Sequence, residues 1–343
     1  MKYWYILPVV ILASLGLTAL LRQYALHRSI IDVPNARSSH TVPTPRGGGV
    51  AIVIVFGVAL ALIAGLQLAS LAQCLALLGA GLLVAVIGFM DDHGHIAARW
   101  RLLGHFFAAS WALFWIQGLP VINAFGFTIA LGWFGHALAV LYLVWMLNLY
   151  NFMDGIDGIA SLEAICACLG LALIYFLRGE ESLIWAPLLL ASAVAGFLYW
   201  NFPPARIFMG DAGSGFLGIV IGSFTLQAAW SGSEFFFAWL IMLGIFIVDA
   251  TFTLARRLIR GDKVYEAHRS HAYQYASRHF RGHLPVTVAV GLINVFWLLP
   301  LAFAVSFQLI DGALGLIIAY IPLLFVAVKY KAGEREGVLS RVD

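Results

Sequence analysis

The chain has 343 residues, of which 62% are hydrophobic and only 11% are Asp, Glu, Lys or Arg, and its formal net charge is +3. Soluble domains usually carry about a quarter charged residues. The composition therefore excludes an ordinary soluble domain and indicates a protein with many membrane-spanning segments.

Eleven apolar segments are long enough to cross a membrane, which takes roughly 20 mainly apolar residues. They lie at about residues 3–21, 49–67, 71–89, 102–119, 134–150, 159–177, 183–200, 213–230, 235–255, 285–307 and 312–328. Helices are expected because the hydrocarbon offers no water to pair backbone groups, and the alternation of a barrel is absent from the sequence. The sequence predicts an all-α polytopic membrane protein with about 11 transmembrane helices, in a single domain spanning 1–343.

Three smaller features add to this prediction. The segment after Lys2 has no persuasive small-residue cleavage site, so a retained helix is expected instead of a cleaved signal. The uncharged stretch at 121–135 alternates weakly and contains glycines, which predicts a small outward-facing hairpin. Cys74, Cys166 and Cys168 lie in apolar segments and are expected to be buried and to bind no metal.

The basic residues indicate how the helices are oriented. If the amino terminus faces outward and 11 helices alternate, the cytoplasmic segments are 22–48, 90–101, 151–158, 201–212, 256–284 and 329–343. Of the 20 Lys and Arg residues, only Lys2 and Arg178 lie outside these segments. The positive-inside rule therefore predicts that these segments face the cytoplasm.

Aspartates from three separate loops are predicted to meet at that cytoplasmic face. Asp91 and Asp92 end the third apolar segment, Asp154 and Asp157 lie between the fifth and sixth, and Asp211 precedes the eighth. Polar clusters at membrane depth are functional candidates. The alternative is that they are only solvated helix ends.

The chemistry of these side chains favours a metal and a bound polyanion. Carboxylate and amide oxygens suit Mg²⁺, which takes one or two protein carboxylates and completes its shell with phosphate oxygens and water. The cytoplasmic loops add cations, including Arg37, His40 and Arg46 in the first loop and the basic segment 256–283. Together these groups are typical of phosphoryl transfer. The basic loops alone could equally contact anionic headgroups or set the topology.

The late basic loop contains two further candidate groups. His268 and His271 would share one face if their segment is helical. Asp249, near the end of the ninth apolar segment, is expected to pair with Arg256 or Arg257.

Four motifs, taken in order, resemble those of a known family. "GFMDDHG", "NLYNFMDGIDGIAS", "NFPPARIFMGDAGS" and "HRSHAYQ" lie between the predicted spans. Their set resembles the polyprenyl-phosphate N-acetylhexosamine-1-phosphate transferases over about residues 32–285. The resemblance implies that a UDP-sugar and undecaprenyl phosphate react at the cytoplasmic face of the bacterial inner membrane. The products would be undecaprenyl-diphospho-sugar and UMP, with Mg²⁺ required and Mn²⁺ a candidate substitute.

The resemblance also implies roles for individual residues. For metal binding it implies Asp211 with Asn151 or Asp154. For catalysis it implies the pair Asp91 and Asp92 at the lipid phosphate, Asp154, and His268, Arg269 and His271 at the diphosphate or sugar phosphate. For substrate binding it implies Phe208 stacked on uracil, Asn201 and Asp157 at the nucleoside, and Arg37, His40 and Arg46 in the first loop.

Two departures bear on the sugar. The chain has "TPRGGG" and "HRSH" where the muramoyl-pentapeptide members have "TPTMGG" and a run of three histidines. The form of the late loop is more similar to members that start O-antigen or capsule chains. The resemblance leaves the sugar undecided between N-acetylglucosamine, N-acetylfucosamine and N-acetylquinovosamine.

The expected mechanism is a single displacement in which the lipid phosphate attacks the sugar-side phosphorus, with a two-step route through an aspartyl-phosphate as the alternative. The expected partners are undecaprenyl phosphate, a UDP-sugar and the lipid bilayer, with no nucleic acid and with a homodimer left open. A multispanning transporter or lipid-linked sugar flippase is the rival function, because intramembrane carboxylates also mark transport pathways. The absence of an internal repeat and the clustering of aspartates at one face favour the enzyme.

Overall fold

A computed structural model of the chain describes residues 3–34, 39–94, 96–262 and 268–335. Within these ranges the chain is mainly helical. The α-helices are α1 (Ile6–His27), α2 (Gly49–Gly65), α3 (Leu71–His93), α4 (Ala98–Ile116), α5 (Gly132–Met153), α6 (Ile159–Arg178), α7 (Glu181–Asn201), α8 (Asp211–Ser231), α9 (Ser233–Met242), α10 (Gly244–Ile259), α11 (Ala272–His279), α12 (Leu284–Ile293), α13 (Leu299–Ser306) and α14 (Gly312–Lys329). A π-helical turn, Asn294–Leu298, joins α12 to α13.

The all-α prediction is confirmed, but the count of 11 spans is not. Over the described ranges, eight helices are long and apolar enough to cross a membrane, counting α12 to α13 as one, and the pair α9–α10 would be a ninth. That pair is bent by 70°. Helix α2 has only 17 residues, and α4 carries Arg99, Arg101 and His105 in its first half, which lowers its hydropathy.

Helix α8 lies at the centre of the bundle and is buried over nearly its whole length. It packs against α2, α3, α4, α5 and α9. Small residues along it permit close approach, as in many membrane helix pairs. At Gly218, for example, an added Cβ would lie 2.6 Å from the Met146 carbonyl oxygen on α5. This close contact fixes α8 against α5.

Two short antiparallel strand pairs complete the described structure. Strands β1 (Ile31–Asp32) and β2 (Thr44–Pro45) pair in the first loop. Strands β3 (Ile122–Ala124) and β4 (Phe127–Ile129) form the hairpin predicted at 121–135. The hairpin is attached to the bundle because the Phe125 amide donates to Asp311 at 2.8 Å.

The ends of α3, α5 and α7 and the starts of α4, α6, α8 and α12 meet at one end of the bundle. We call this the aspartate end, because Asp91, Asp92, Asp154, Asp157 and Asp211 all lie there. The first loop, with β1 and β2, covers the same end through contacts described below. Three loops distant in sequence are thus brought to one region, as the aspartate pattern predicts.

Candidate active site

An ion-paired group joins the first loop, α3 and α8. Asp92, in the last turn of α3, accepts hydrogen bonds from the amides of Asp211 at 3.2 Å and Ala212 at 3.4 Å. The first amides of a helix lack intrahelical partners and attract negative charge. One Arg46 nitrogen lies 2.8 Å from Asp92 and 2.5 Å from Asp211. Asp92 therefore anchors the start of α8 and is itself nearly fully buried.

Two motif glycines make this arrangement sterically feasible. Gly88 lies one turn before Asp92, and a Cβ there would be 2.5 Å from the Asp211 carbonyl carbon. Gly210 has φ +78°, and a Cβ there would be 2.7 Å from an Asp92 carboxylate oxygen. Both positions need glycine because a side chain would displace backbone or the capping carboxylate.

Asp91 faces a different partner from Asp92. Its carboxylate pairs with Arg101 of α4 and accepts a hydrogen bond from the Ile96 amide at 2.9 Å. The same Arg101 nitrogen lies 3.9 Å from an Asp211 oxygen. Arg101, which the sequence reasoning missed, therefore brings a cation between Asp91 and Asp211.

Asn151 and Asp154 approach the start of α8 from the end of α5. The Asn151 amide donates to Ser214 at 3.0 Å, and that hydroxyl donates to the Gly210 carbonyl at 3.2 Å. Within the described ranges, no hydrogen bond or ion pair engages the Asp154 carboxylate. Burial, followed by the negative charge of Asp211, raises the pKa of Asp154 well above its usual value.

The oxygen atoms at this site fit a hard cation whose coordination shell is completed by a substrate. In the described part of the chain, no three His, Cys, Asp or Glu side chains are grouped to hold a metal by themselves. Asp211, Asp154 and the Asn151 amide oxygen offer two carboxylates and one neutral oxygen. Mg²⁺ typically takes one or two protein carboxylates and fills its shell with phosphate oxygens and water. Burial and the charge of Asp211 disfavour the charged form of Asp154, and a cation bound by both carboxylates would offset these two effects.

These groups line a cavity of about 220 Å³. The predicted site residues in its lining are His40, Arg46, Asn151, Asp154, Asp157, Asn201, Phe208 and Asp211. Phe208 is held by backbone hydrogen bonds to the first loop, from its amide to Pro45 at 2.8 Å and from Gly48 to its carbonyl at 2.9 Å. Its ring meets His40 edge-on at 4.8 Å. Arg37, the other predicted residue of that loop, lies outside the described residues.

Asp157 and Asn201 form hydrogen bonds that link the loop before α6 to the loop after α7. Asp157 accepts from the Ala205 amide at 3.0 Å and lies 3.1 Å from the His283 imidazole. Asn201 accepts from the Gly158 amide and donates to the Ile207 carbonyl, both at 3.0 Å. Both residues line the cavity, but these contacts occupy much of their hydrogen-bonding capacity.

His283 is a cavity residue that the sequence reasoning did not select. Its ring contacts Asp157 and, at 3.0 Å, the Ser39 carbonyl. Burial tends to lower the pKa of His283, but the hydrogen bond and charge of Asp157 outweigh it, so the pKa is raised. The only sequence signal was its place at the end of the basic segment 256–283.

The histidines of the "HRSH" segment lie elsewhere. His268 and His271 precede α11 and are not helical, although their rings stack at 5.0 Å. Neither they nor Arg269 lines the 220 Å³ cavity. A second cavity of about 540 Å³ adjoins the first and has Arg278 and Arg281 in its lining.

The expected pairing of Asp249 with Arg256 or Arg257 is wrong. Asp249 lies 3.3 Å from His271 and accepts from the amides of Ala272 at 2.9 Å and Tyr273 at 3.0 Å. These amides open α11, so the carboxylate satisfies helix-start donors that have no intrahelical partner. Arg256 pairs instead with Glu334.

Comparisons with known proteins agree with the motif resemblance. A family model described as glycosyl transferase family 4 matches residues 74–229. A decaprenyl-phosphate N-acetylglucosaminephosphotransferase of Mycolicibacterium smegmatis is 31% identical, over 83% of this chain and 81% of the relative. A probable undecaprenyl-phosphate N-acetylglucosaminyl 1-phosphate transferase of Bacillus subtilis is 27% identical, over 93% and 89%. A phospho-N-acetylmuramoyl-pentapeptide-transferase of Chlamydia muridarum is 29% identical, over 84% and 93%.

Proposed function

The chain belongs to the family of polyprenyl-phosphate hexosamine-1-phosphate transferases, and from that premise we propose the specific reaction that it catalyses. It transfers an N-acetylhexosamine 1-phosphate from a UDP-sugar to undecaprenyl phosphate at the cytoplasmic face of the bacterial inner membrane. The products are undecaprenyl-diphospho-sugar and UMP. The lipid product starts an O-antigen or another cell-envelope polysaccharide.

One observation carries the proposal, namely the arrangement of Arg46, Asp211 and Asp154 around one cavity, with the buried Asp92 paired to Arg46 behind it. Arg46 lies within hydrogen-bond distance of two of the carboxylates, whereas Asp154 has no partner in the described structure. A diphosphate group needs cations around it, and a hard cation needs carboxylates that are not already neutralised. The cavity supplies both kinds of group.

The side chains support a division of tasks within the reaction. Phe208 presents an aromatic ring to the cavity for uracil, and Arg46 with His40 lies where the diphosphate would bind. Arg278 and Arg281, in the adjoining cavity, would hold the sugar phosphate in place of the predicted His268, Arg269 and His271. A divalent ion held by Asp211, Asp154 and Asn151 would neutralise charge on the diphosphate.

The reaction proceeds by direct displacement. An oxygen of the lipid phosphate forms a bond to the sugar-side phosphorus, the bond from that phosphorus to the bridging oxygen breaks, and UMP leaves with that oxygen. Arg101 lies between Asp91 and Asp211, so it would bind the incoming lipid phosphate. Asp91 would take the proton that the phosphate carries if it arrives as the monoanion.

UMP release is the direct test. Purified protein in detergent with undecaprenyl phosphate, Mg²⁺ or Mn²⁺ and a panel of UDP-N-acetylhexosamines should release UMP with at least one sugar. Asp211→Asn should abolish this release, and Asp262→Asn, a carboxylate paired with Arg260 away from the cavity, should not. A full panel with no UMP would favour the transporter instead.

A second measurement separates the two chemical routes. Protein incubated with UDP-sugar labelled at the sugar phosphate, without undecaprenyl phosphate, should retain no covalent label. Label on an aspartate would favour the two-step route.

A further inference from the structure

Two arginines converge on one indole at the aspartate end, outside the cavities described above. Arg22 comes from the last turns of α1 and Arg206 from the loop after α7. Their guanidinium carbons lie 5.8 Å and 5.0 Å from the centre of the Trp200 ring. Arg206 also lies 4.9 Å from the Tyr199 ring. Such stacking holds a guanidinium in place while its hydrogen-bonding edge remains available.

The contacts of this group fix its geometry without neutralising its charge. The Trp200 indole donates to the Leu15 carbonyl at 3.0 Å, which sets the plane on which the cations stack. Arg22 donates to the Arg206 carbonyl at 3.1 Å, and Arg206 donates to the Tyr199 carbonyl at 3.3 Å. Within the described ranges neither guanidinium has a carboxylate partner. Two positive charges are therefore held close together with only neutral acceptors.

An apolar groove begins at the same place. It has a volume of about 590 Å³ and is lined by Leu198, Phe202, Pro203 and Pro204, with Tyr199 and Arg206 at its edge. Phe202 is 42% exposed and Tyr199 is 53% exposed. Arg206 lines the groove, and Arg22 is hydrogen-bonded to the Arg206 carbonyl next to it. Two cations beside an apolar groove are complementary to a ligand with an anionic head and an acyl chain.

We propose that Arg22 and Arg206 bind the phosphate of an anionic glycerophospholipid, such as phosphatidylglycerol, whose acyl chain lies in the adjoining groove. The site lies at the helix ends where basic residues are concentrated, which by the positive-inside rule face the leaflet that is rich in anionic lipids. This binding site does not depend on the proposed reaction.

The groove favours a phospholipid over the polyprenyl phosphate acceptor because its lining includes none of the carboxylates of the candidate active site. Pro203 and Pro204 separate the groove from the 540 Å³ cavity, since both cavities include these two prolines in their lining. The next residue, Ala205, donates to Asp157. A lipid held here would therefore also steady the loop that leads to Phe208.

Native mass spectrometry can measure this binding on the whole protein in detergent. Titration with phosphatidylglycerol should give saturable binding to the wild type, stronger than that of phosphatidylcholine. The double variant R22Q/R206Q should bind phosphatidylglycerol about 30-fold more weakly, which is the effect expected from two basic residues at an anionic surface. R99Q is the matched control, because Arg99 is a single arginine on an indole, 5.6 Å from Trp100, and it should bind as the wild type does.

Three results would overturn the proposal. These are binding of the double variant as tight as that of the wild type, an equal loss of affinity in R99Q, and displacement of the phospholipid from the site by equimolar undecaprenyl phosphate. If the double variant does not fold, photo-crosslinking of the wild type decides the question. A phosphatidylglycerol with a photoreactive acyl chain should label residues 195–206, and label confined to other segments would refute the site.

Discussion

Replacement of Gly88 by Ala tests whether the close contact between α3 and the start of α8 aligns the candidate site, and control variants separate this effect from a loss of bundle stability. A Cβ at residue 88 would lie 2.5 Å from the Asp211 carbonyl carbon and 2.6 Å from the Ala212 nitrogen. These are backbone atoms, so no side-chain rotation can relieve the clash. Ordinary contact begins at 3.4 Å, so α3 and the start of α8 would have to move apart by about 0.9 Å.

That displacement acts on the atoms that hold Asp92 against α8 and that carry the Asp211 carboxylate. Overpacking of this kind typically lowers the free energy of unfolding by about 1–3 kcal/mol. A misplacement of about 1 Å at a reacting site can reduce turnover by about 100-fold. We therefore expect Gly88→Ala to lower the kcat for UMP release by about 100-fold in protein that is still folded.

Two alanine variants serve as controls. Gly81 lies two turns earlier on the same face of α3, and its added Cβ would meet the Phe216 ring at 2.6 Å. Gly81→Ala should therefore lower stability to a similar extent and leave kcat within about threefold of the wild type. Gly57→Ala makes only an ordinary contact of 3.6 Å with Leu78 and should change neither quantity.

The assay is kcat for UMP release, corrected for folded protein, together with thermal unfolding in detergent. An unchanged kcat in Gly88→Ala, or an equal loss of kcat in Gly81→Ala, would show that the contact at Gly88 does not align the candidate site.

Three further changes test other contacts of the described structure. The pKa of His283 is raised in the folded state. The pairing of protonated His283 with Asp157 therefore stabilises the protein fully when the pH is below the pKa of histidine in the unfolded chain, about 6.5. This stabilisation is lost as the pH rises through the pKa of His283 in the folded protein. The difference in unfolding temperature between wild type and His283→Asn should therefore shrink from pH 6 to pH 9, and a constant difference would contradict this. Glu163 accepts from Asn294 at 2.6 Å, and both are fully buried, so Asn294→Leu should cost about 1–3 kcal/mol. In thermal unfolding, the double variant Glu163→Leu/Asn294→Leu should lose less stability than Asn294→Leu alone. A loss equal to the sum of the two single losses would rule out the pairing. Arg46→Gln removes the cation between Asp92 and Asp211 and should reduce UMP release by at least about 100-fold, whereas activity near that of the wild type would exclude its role at the site.

The sequence predicted the helical segments well because length and hydropathy determine which segments can be buried in lipid. It predicted their ends less well. Helix α1 continues to His27, beyond the predicted end at residue 21. Arg22 and the residues after it lower the hydropathy of the segment but are compatible with a helix. The 70° bend between α9 and α10 had no clear signal in the sequence beyond Gly244. Bends of this kind are determined by packing against neighbouring helices.

The candidate site could be located from the sequence, but its pairings could not. Motif spacing and the charge distribution brought the aspartates to one end, and the structure agrees. The partner of Asp157, His283, is 126 residues away, and the partner of Asp91 is Arg101, ten residues later across a turn. Hydropathy and helical periodicity carry no information on which cation faces which carboxylate. Sequence reasoning therefore found the acidic groups of the site and missed part of the basic groups.

The structure distinguishes the two adjacent aspartates of the "GFMDDHG" motif. Successive residues on a helix point about 100° apart, so Asp91 and Asp92 cannot face the same neighbour. Asp92 faces α8 and is already bonded to two amides and Arg46. Asp91 faces Arg101, and a lipid phosphate that binds this arginine would compete with Asp91 for it. The Asp91 carboxylate would then lose its pairing with Arg101 next to the substrate, while it keeps the hydrogen bond from the Ile96 amide, which favours Asp91 over Asp92 as the proton acceptor in the proposed reaction.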